Sequence, residues 1–265
     1  MFRDKVCIIT GASSGLGKSL ALHLAKEKAT VVLFARSEPQ LKEVSEACQK
    51  EGANTLVVCG DITKAADCLF LIDQVIQEFQ QIDYLINNAG LSMWSAFSDI
   101  SELDAFEKLI AVNYLGSVYC THFALPYLIK SKGLVVAISS LQGRYGVPYH
   151  TGYSAAKHAV HGFFNALRFE LSNKDVGVLI VTPGWLQGTN LRANALVANE
   201  EKKFRHQSSK SGISLEVCSK TILNAMIQRK KELCMPKKMK LLFLLDILFP
   251  RLAAWYVLRR VKQET

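Results

Sequence analysis

Short β-branched apolar runs alternate with helix-period segments along nearly the whole chain, and this alternation limits the fold more than any other feature. Residues 5–10 (KVCIIT) form an apolar run closed by Gly11. Such a run, bounded by a turn residue, predicts a buried strand. Residues 15–28 then place Leu16, Leu20, Ala21, Leu24 and Ala25 at helical spacing. Strand-like runs recur at 30–35, 55–59, 84–87, 134–139, 176–182 and 233–235. Their near-continuous apolarity predicts strands covered on both faces. Strand and helix in alternation imply an α/β fold, a doubly wound parallel sheet with right-handed crossovers. A chain of 265 residues that is 49% hydrophobic can bury one large core. The expected organisation is a single domain over 1–236 followed by an apolar helical extension over 237–265.

Ligands of such sheets sit beyond the carboxyl ends of the strands. Thr10, Arg36, Asp61, Asn88 and Ser140 all fall at or just past those ends. Gly11, Gly15 and Gly17 lie between the first strand and the first helix. Glycines there permit a tight turn and let backbone N–H groups approach a pyrophosphate at a helix N-terminus. Residues 12–19 also read A-x-x-x-x-G-K-S, near the phosphate-binding pattern of nucleotide triphosphatases. Alanine stands where that pattern has its first glycine. The run at 84–86 leads into Asn87-Asn88-Ala89-Gly90 rather than a magnesium-binding aspartate. The dinucleotide turn is the better reading.

Tyr153 and Lys157 stand four residues apart in GYSAAKHAV, with Ser140 thirteen residues before the tyrosine. Four residues is just over one helical turn, so phenol and ammonium share a helix face. A cation beside a phenol favours phenolate. A hydroxyl from a neighbouring strand end can hold a carbonyl oxygen next to it. The pair by itself also fits ordinary helix-surface packing; it gains force from the nucleotide turn upstream.

TGASSGLG, the run from Asn87 to Gly90, Asn113 in AVNYLG, Ser140, YSAAK and Pro183-Gly184 occur in one order and spacing. That joint pattern resembles the short-chain dehydrogenase/reductase family, over about residues 5–235. The stretch 136–157, with ISSLQG and KHA, is most similar to the lipid- and steroid-handling branch that contains the 11-beta-hydroxysteroid dehydrogenases and the family member 7B-like reductases. The resemblance implies a Rossmann-type sheet and an oxidoreductase using NAD(P). It implies catalytic roles for Asn113, Ser140, Tyr153 and Lys157: Tyr153 as general acid or base, Ser140 as donor to the substrate oxygen, Lys157 on the nicotinamide ribose, and Asn113 holding a water in a proton relay. The cofactor residues it implies are Gly11, Ser13, Ser14, Gly15, Leu16, Gly17, Arg36, Ser37, Asp61, Ile62, Asn88, Ala89, Gly90, Tyr153, Lys157, Pro183, Gly184, Leu186 and Thr189. One departure stands out. Family members commonly have threonine five positions after the proline of Pro183-Gly184, where this chain has Gly188, with Thr189 one later.

Cofactor choice turns on the end of the second strand. Arg36 and Ser37 stand there, with no acid before Glu38. NAD enzymes usually place Asp or Glu near this point for the ribose 2′-hydroxyl. An arginine suits a 2′-phosphate, so NADP(H) is expected. Trp94, Tyr145, Val147, Tyr149 and Trp185 make the loops beside the site apolar. Together with Ser140 and Tyr153, the residues Trp94, Tyr145 and Trp185 are candidate contacts for a hydrophobic substrate, unless they pack the loops themselves. The polar stretch 189–211 is a candidate substrate lid.

The extension carries the strongest charge bias. From Arg229 to Thr265 the chain holds ten Lys/Arg against Glu232, Asp246 and Glu264, so +7 of its net charge of +9 lies there. MKLLFLLDILFPRLAAWYVLRR is apolar, interrupted by Pro250, and shorter in its unbroken part than the roughly twenty residues of a membrane span. A pair of interfacial helices docking peripherally on a membrane, a subunit interface, and a cover over the substrate cleft remain open. The basic residues border an apolar segment rather than a solvent-facing stripe, which speaks against nucleic acid. The N-terminus begins almost directly at the first strand, without a signal or anchor pattern. Seven cysteines without C-x-x-C, and six histidines without ligand spacing, predict reduced thiols and no metal. The expected location is cytoplasmic, with peripheral contact at a membrane surface, and the expected assembly is a homodimer or homotetramer. The favoured function is an NADP(H)-dependent oxidoreductase interconverting a ketone or aldehyde with an alcohol on a steroid-, retinoid- or lipid-like substrate. The other class is a non-catalytic, nucleotide-responsive interaction protein on the same fold.

Overall fold

The computed structural model describes residues 1–191, 193–197 and 212–262. Seven strands form one sheet: β1 (Val6–Thr10), β2 (Thr30–Ala35), β3 (Thr55–Cys59), β4 (Tyr84–Asn87), β5 (Leu134–Ile138), β6 (Gly177–Pro183) and β7 (Glu232–Met235). Their order is β3-β2-β1-β4-β5-β6-β7, and every pairing is parallel. The principal helices are α1 (Gly15–Lys26), α2 (Glu38–Lys50), α3 (Ala65–Phe79), α4 (Asp104–Ile110), α5 (Gly116–Ser131), α6 (Thr151–Glu170), α7 (Leu215–Ile227), α8 (Met239–Leu248) and α9 (Pro250–Lys262).

Each strand feeds two cores because successive side chains point to opposite faces. Cys7 and Ile9 of β1, with Val31 and Leu33 of β2, face α1, α2 and α7 through Leu20, Leu41 and Ile222. Val6 and Ile8, with Val32 and Phe34, face α3, α5 and α6 through Leu71, Ala124 and Phe164. Burial on both faces explains why the strands read as unbroken apolar runs. The boundaries shift by a residue where a side chain takes another job. Lys5 stops short of β1 and places its ammonium 2.9 Å from Asp83. Beyond Ile138 the chain leaves β5 for a 3-10 turn at Leu141–Gly143. Pro183 stays in β6, in register with Met235.

The chain runs outward from β1 to β3, then returns to start β4 on the other side of β1. The crevice between β1 and β4 is therefore the point where ligands of such sheets bind. Thr10 ties its two sides together. Its Oγ1 accepts from the amides of Asn88 and Ala89, both at 3.0 Å.

Between α4 and α5 the helix widens into a π-turn at Ala111–Leu115, centred on Asn113. The sequence pattern there reads as uninterrupted helix. At the chain's end α8 and α9 form a hairpin broken at Pro250. It rests on the 145–148 loop, with the Tyr145 and Phe243 ring centres 6.0 Å apart. The described residues contain no helix long and apolar enough to cross a membrane. Most of the expected lid, 198–211, lies outside the described residues.

Candidate active site

The glycine turn is built by close approach. Gly11 and Gly15 have φ of +65° and +52°, a region that disfavours side chains. A Cβ on Gly17 would stand 2.2 Å from Gly11 O and 2.7 Å from Asn88 Nδ2. Asn88 in turn donates from Nδ2 to Thr10 O at 2.9 Å and to Gly11 O at 3.3 Å. The first turn of α1 is thus pressed onto the end of β1, and its N-cap Ser14 has extended backbone and a side chain not used for capping. The first N–H groups of that helix have no intrahelical partners, and a pyrophosphate at the end of β1 would take them. Leu16 is buried beneath, and Ser13 is half-buried in the turn.

Arg36 is exposed just past β2, with Ser37 at the N-cap position of α2, its side chain making no capping bond. The first acid after Arg36 in the sequence, Glu38, pairs with Lys42 one turn along α2 at 2.8 Å. Asp61, past β3, is held by its own loop: Oδ1 accepts from Thr63 N at 3.0 Å and Thr63 Oγ1 at 2.9 Å. Burial works against its charge, yet these bonds and the Arg36 cation hold its carboxyl below the usual range. Ile62, next to it, is buried against Gly116, where a Cβ would stand 2.4 Å from Ile62 Cγ1.

On the other side of the crevice α6 presents Tyr153 and Lys157, 6% and 3% exposed. Lys157 Nζ lies 5.7 Å from the Tyr153 ring centre and donates to Ile138 O at 3.0 Å. Burial pulls its pKa down from 10.5 to about 8. Of its three N–H donors, one goes to Ile138. Gly90 brings the loop after β4 to the same place. A Cβ there would lie 3.2 Å from Asn113 Oδ1 and 3.7 Å from Lys157 Nζ.

The Asn113 carboxamide, 2% exposed, bonds through both its nitrogen and its oxygen. Its Nδ2 donates to Leu91 O and Leu109 O, both at 2.9 Å, and its Oδ1 accepts from Leu91 N at 3.2 Å. The side chain therefore pins the loop carrying Ala89 and Gly90 to the π-turn, an irregularity frequent at functional sites.

Ser140 caps the 3-10 turn after β5, its Oγ accepting from Gln142 N at 3.2 Å. That turn is docked on α6 at the level of Lys157. Ser139 Oγ donates to Lys157 O at 3.4 Å, and a Cβ on Gly143 would fall 2.7 Å from Lys157 O. Sequence reasoning placed Thr10 at the ligand-binding end of the first strand but did not single out Gly143 or the Leu91 backbone, although a glycine three residues past Ser140 was a visible signal for the first.

The loop after β6 closes the site. Pro183 ends the strand, and Gly184 N donates to Met235 O at 2.6 Å. Ile213 takes both Trp185 O, at 2.8 Å, and Gln187 N, at 2.9 Å. The alternation of an extended strand then turns the intervening Leu186 amide to the opposite side. Gly188, at φ +73°, reverses the chain. The reversal sets Thr189 3.7 Å from where a Gly15 Cβ would be, so the shifted threonine reaches the glycine turn.

Tyr153 packs in a small apolar cluster with Met93 and Leu109, bordered by Leu91, Ile100, Phe106 and Leu196. Trp94 stacks on Tyr149 at 5.3 Å and meets His150 edge-on at 4.9 Å. Trp94 N donates to Leu196 O at 2.8 Å, and Leu196 N donates to Ser92 O at 2.9 Å, which joins the two loops beside Tyr153. Trp185 is half-buried in the loop after β6. Tyr145 stands apart from this cluster, under α8 and near Tyr256, where burial pushes its pKa up to about 12.

The fitted glycine cradle, the crevice at the strand reversal and the buried lysine with spare donors fit a dinucleotide whose nicotinamide ribose reaches α6. Fold and site together define a nicotinamide-dependent oxidoreductase. The chain belongs to the short chain dehydrogenase family, which matches residues 5–200. Among curated relatives it is 34% identical over 258 residues to the 11-beta-hydroxysteroid dehydrogenase of Pinus massoniana, covering 95% of this chain and 72% of the relative. It is 37% identical over 249 residues to the 11-beta-hydroxysteroid dehydrogenase-like 4A of Arabidopsis thaliana, covering 94% and 82%. Among solved structures, a short chain dehydrogenase/reductase from Burkholderia phymatum in complex with NAD superposes with a TM-score of 0.83 at 23% identity, covering 93% of this chain and 95% of that one. An alcohol dehydrogenase from Thermococcus sibiricus complexed with 5-hydroxy-NADP superposes with a TM-score of 0.77 at 25% identity, covering 88% and 96%.

Proposed function

We propose that the protein is an NADP(H)-dependent oxidoreductase interconverting a ketone or aldehyde with an alcohol on a hydrophobic, steroid-, retinoid- or lipid-like substrate. The observation that carries the reading is the buried Lys157 ammonium beside the Tyr153 ring, at the end of a glycine-built dinucleotide crevice. The bound cofactor supplies or accepts hydride. In reduction, Tyr153 hands its phenolic proton to the substrate oxygen; in oxidation it takes that proton back. Ser140 Oγ donates a hydrogen bond to the same oxygen as negative charge develops on it. Lys157 sets positive charge beside the phenol, which favours its ionised form.

NADP(H) rather than NAD(H) is favoured by the end of β2. Arg36 is exposed there, and the one nearby acid of α2, Glu38, is turned to Lys42. A guanidinium is suited to gripping a 2′-phosphate with two parallel hydrogen bonds. A hydrophobic substrate is favoured by the surroundings of Tyr153, where Met93, Leu109, Phe106 and Leu196 present apolar surface. The names of the plant relatives point to the same substrate class. A homodimer or homotetramer pairing through α5 and α6 is part of the same reading. Phe169, 77% exposed, and the half-buried Tyr119, Phe123 and Phe163 give those helices an aromatic outer face.

The test is NADPH consumption with a panel of steroid ketones, retinaldehydes and long-chain ketones, run beside NADH. Turnover with NADPH on at least one apolar carbonyl is expected. Dinucleotide binding without turnover across the whole panel would favour the non-catalytic reading instead.

A further inference from the structure

We propose that the α8–α9 hairpin is a docking surface for an anionic lipid bilayer, and that it brings the 145–148 loop against the membrane. Seventeen large hydrophobic side chains are exposed among the described residues, and nine of them lie between 241 and 258. Scattered exposed apolar residues need no explanation, but a contiguous patch marks an interaction site. The patch is most open at the tip, where Ile247 is 77% exposed and Phe249 60%, with Leu252 following on α9.

Three features of the hairpin select a bilayer as its partner. The first is charge. Lys237, Lys238 and Lys240 stand exposed at the start of α8, and Arg251 and Arg259 stand exposed on α9. Asp246, the acid of the hairpin, is half-buried and lines a cavity rather than the exposed face. An apolar face rimmed by cations suits an anionic interface, with the long basic side chains reaching back to the headgroups. The second is the aromatic rim. Arg259 lies over the Trp255 ring at 5.3 Å, and Trp and Tyr are the residues that settle at headgroup level. The third is length. The ten residues of α8 span about 15 Å at 1.5 Å per residue, which is about half of a ~30 Å hydrocarbon core. The hairpin can enter one leaflet but cannot cross.

A second copy of the chain fits this face less well. A two-fold interface sets a patch against itself, so the basic rim would meet another basic rim. A nucleic acid would neutralise the cations and leave the apolar tip in water. The position of the hairpin gives the docking a use. A cavity of about 240 Å³ opens between the hairpin and the loop, lined by Tyr145, Pro148, Leu242, Asp246, Ala253 and Val257. A molecule leaving the bilayer along the hairpin enters there, next to the loop that joins Ser140 to α6. This use, unlike the docking itself, rests on the oxidoreductase reading above.

The experiment is flotation of the full-length protein with vesicles of phosphatidylcholine alone and of phosphatidylcholine mixed with phosphatidylserine, without substrate. Trp255 fluorescence is followed in parallel. Binding to the anionic vesicles is expected, with a blue shift, falling as salt is raised. Ile247→Glu/Phe249→Glu and Lys237→Glu/Lys238→Glu should each weaken it on the order of ten-fold or more, while leaving NADPH binding intact as a check on folding. The proposal is overturned if the intact chain does not float. It is also overturned if the two variants float as well as the parent, or if Ile247→Glu/Phe249→Glu alters only the sedimentation of the protein alone. Since vesicle binding is read without turnover, failure here leaves the oxidoreductase reading standing, and an inactive enzyme that floats leaves the docking standing.

Discussion

Gly17 of α1 sits so close to Gly11 at the end of β1 that a single added methyl would stand 2.2 Å from the Gly11 carbonyl oxygen. The contact is backbone to backbone, so no side chain can swing aside to relieve it. It sets the distance between the helix start and the crevice, and hence the position of the N–H groups that meet the pyrophosphate. Gly17→Ala should therefore lower stability by about 1–3 kcal/mol and weaken both NADPH and NADH binding. Denaturant titration and nucleotide fluorescence check the two effects. An alanine variant with parental stability and affinity would show that the helix start has room to shift.

Arg36→Ala should act on one cofactor alone. Losing charge-assisted bonds to a 2′-phosphate costs about 1.5–3 kcal/mol, or roughly ten- to a hundred-fold in NADPH affinity. NADH affinity should be unchanged. Equal losses for the two dinucleotides would place Arg36 away from the 2′ position.

The lysine on α6 makes a pH prediction for the protein without nucleotide. Its pKa is 10.5 in an open chain and about 8 in the fold. Below pH 8 both states carry the proton, and the full cost of burying the charge is present. Between pH 8 and 10.5 the unfolded chain holds more protons, so folding stability rises with pH. The relief is on the order of 3 kcal/mol, from about 1.4 kcal/mol per pH unit. Lys157→Met removes the charge and should flatten this rise. Denaturation of both proteins at pH 7 and pH 10 checks it: the wild type should gain on the variant as pH increases.

Asn113→Ala should show in both stability and turnover. The buried carboxamide satisfies Leu91 N, Leu91 O and Leu109 O. Removing it orphans these groups at about 1–3 kcal/mol and releases the loop that carries Gly90 to Lys157. A lower melting temperature together with reduced kcat is expected. A fall in stability at unchanged kcat would confine the residue to holding the fold.

Much of this architecture was legible in the sequence, and for a definite reason. The strands of a parallel sheet are apolar on both faces, and all seven runs read from the sequence correspond to the seven strands within a residue or so. Glycine spacing is equally local. What escaped depends on contacts between distant segments. The π-turn at Asn113 follows an ordinary helical pattern, and its irregularity is explained by bonds to the Leu91 backbone, far along the chain. Gly143 looks like a loop glycine until the turn after β5 is seen pressed against Lys157 O. Tyr145 reads with Trp94 and Trp185 as an aromatic of the apolar loops beside the site; in the fold it lies under α8. His161, one turn beyond Lys157, is buried, and burial draws its pKa down to about 3, leaving it neutral. Helical spacing sets it on the face of Tyr153 and Lys157 and exposed His158 on another, but the depth of that burial comes from the elements packed against α6.

The account rests on the Tyr153 hydroxyl as the group that exchanges a proton with the substrate oxygen, and Tyr153→Phe removes that hydroxyl alone. Single-turnover oxidation of NADPH with an accepted carbonyl, beside NADPH affinity measured by fluorescence, tests it most directly. The account predicts unchanged affinity and a rate lower by about 10²–10⁴-fold. A phenylalanine variant that turns over at close to the parental rate would contradict it and assign the proton to another group.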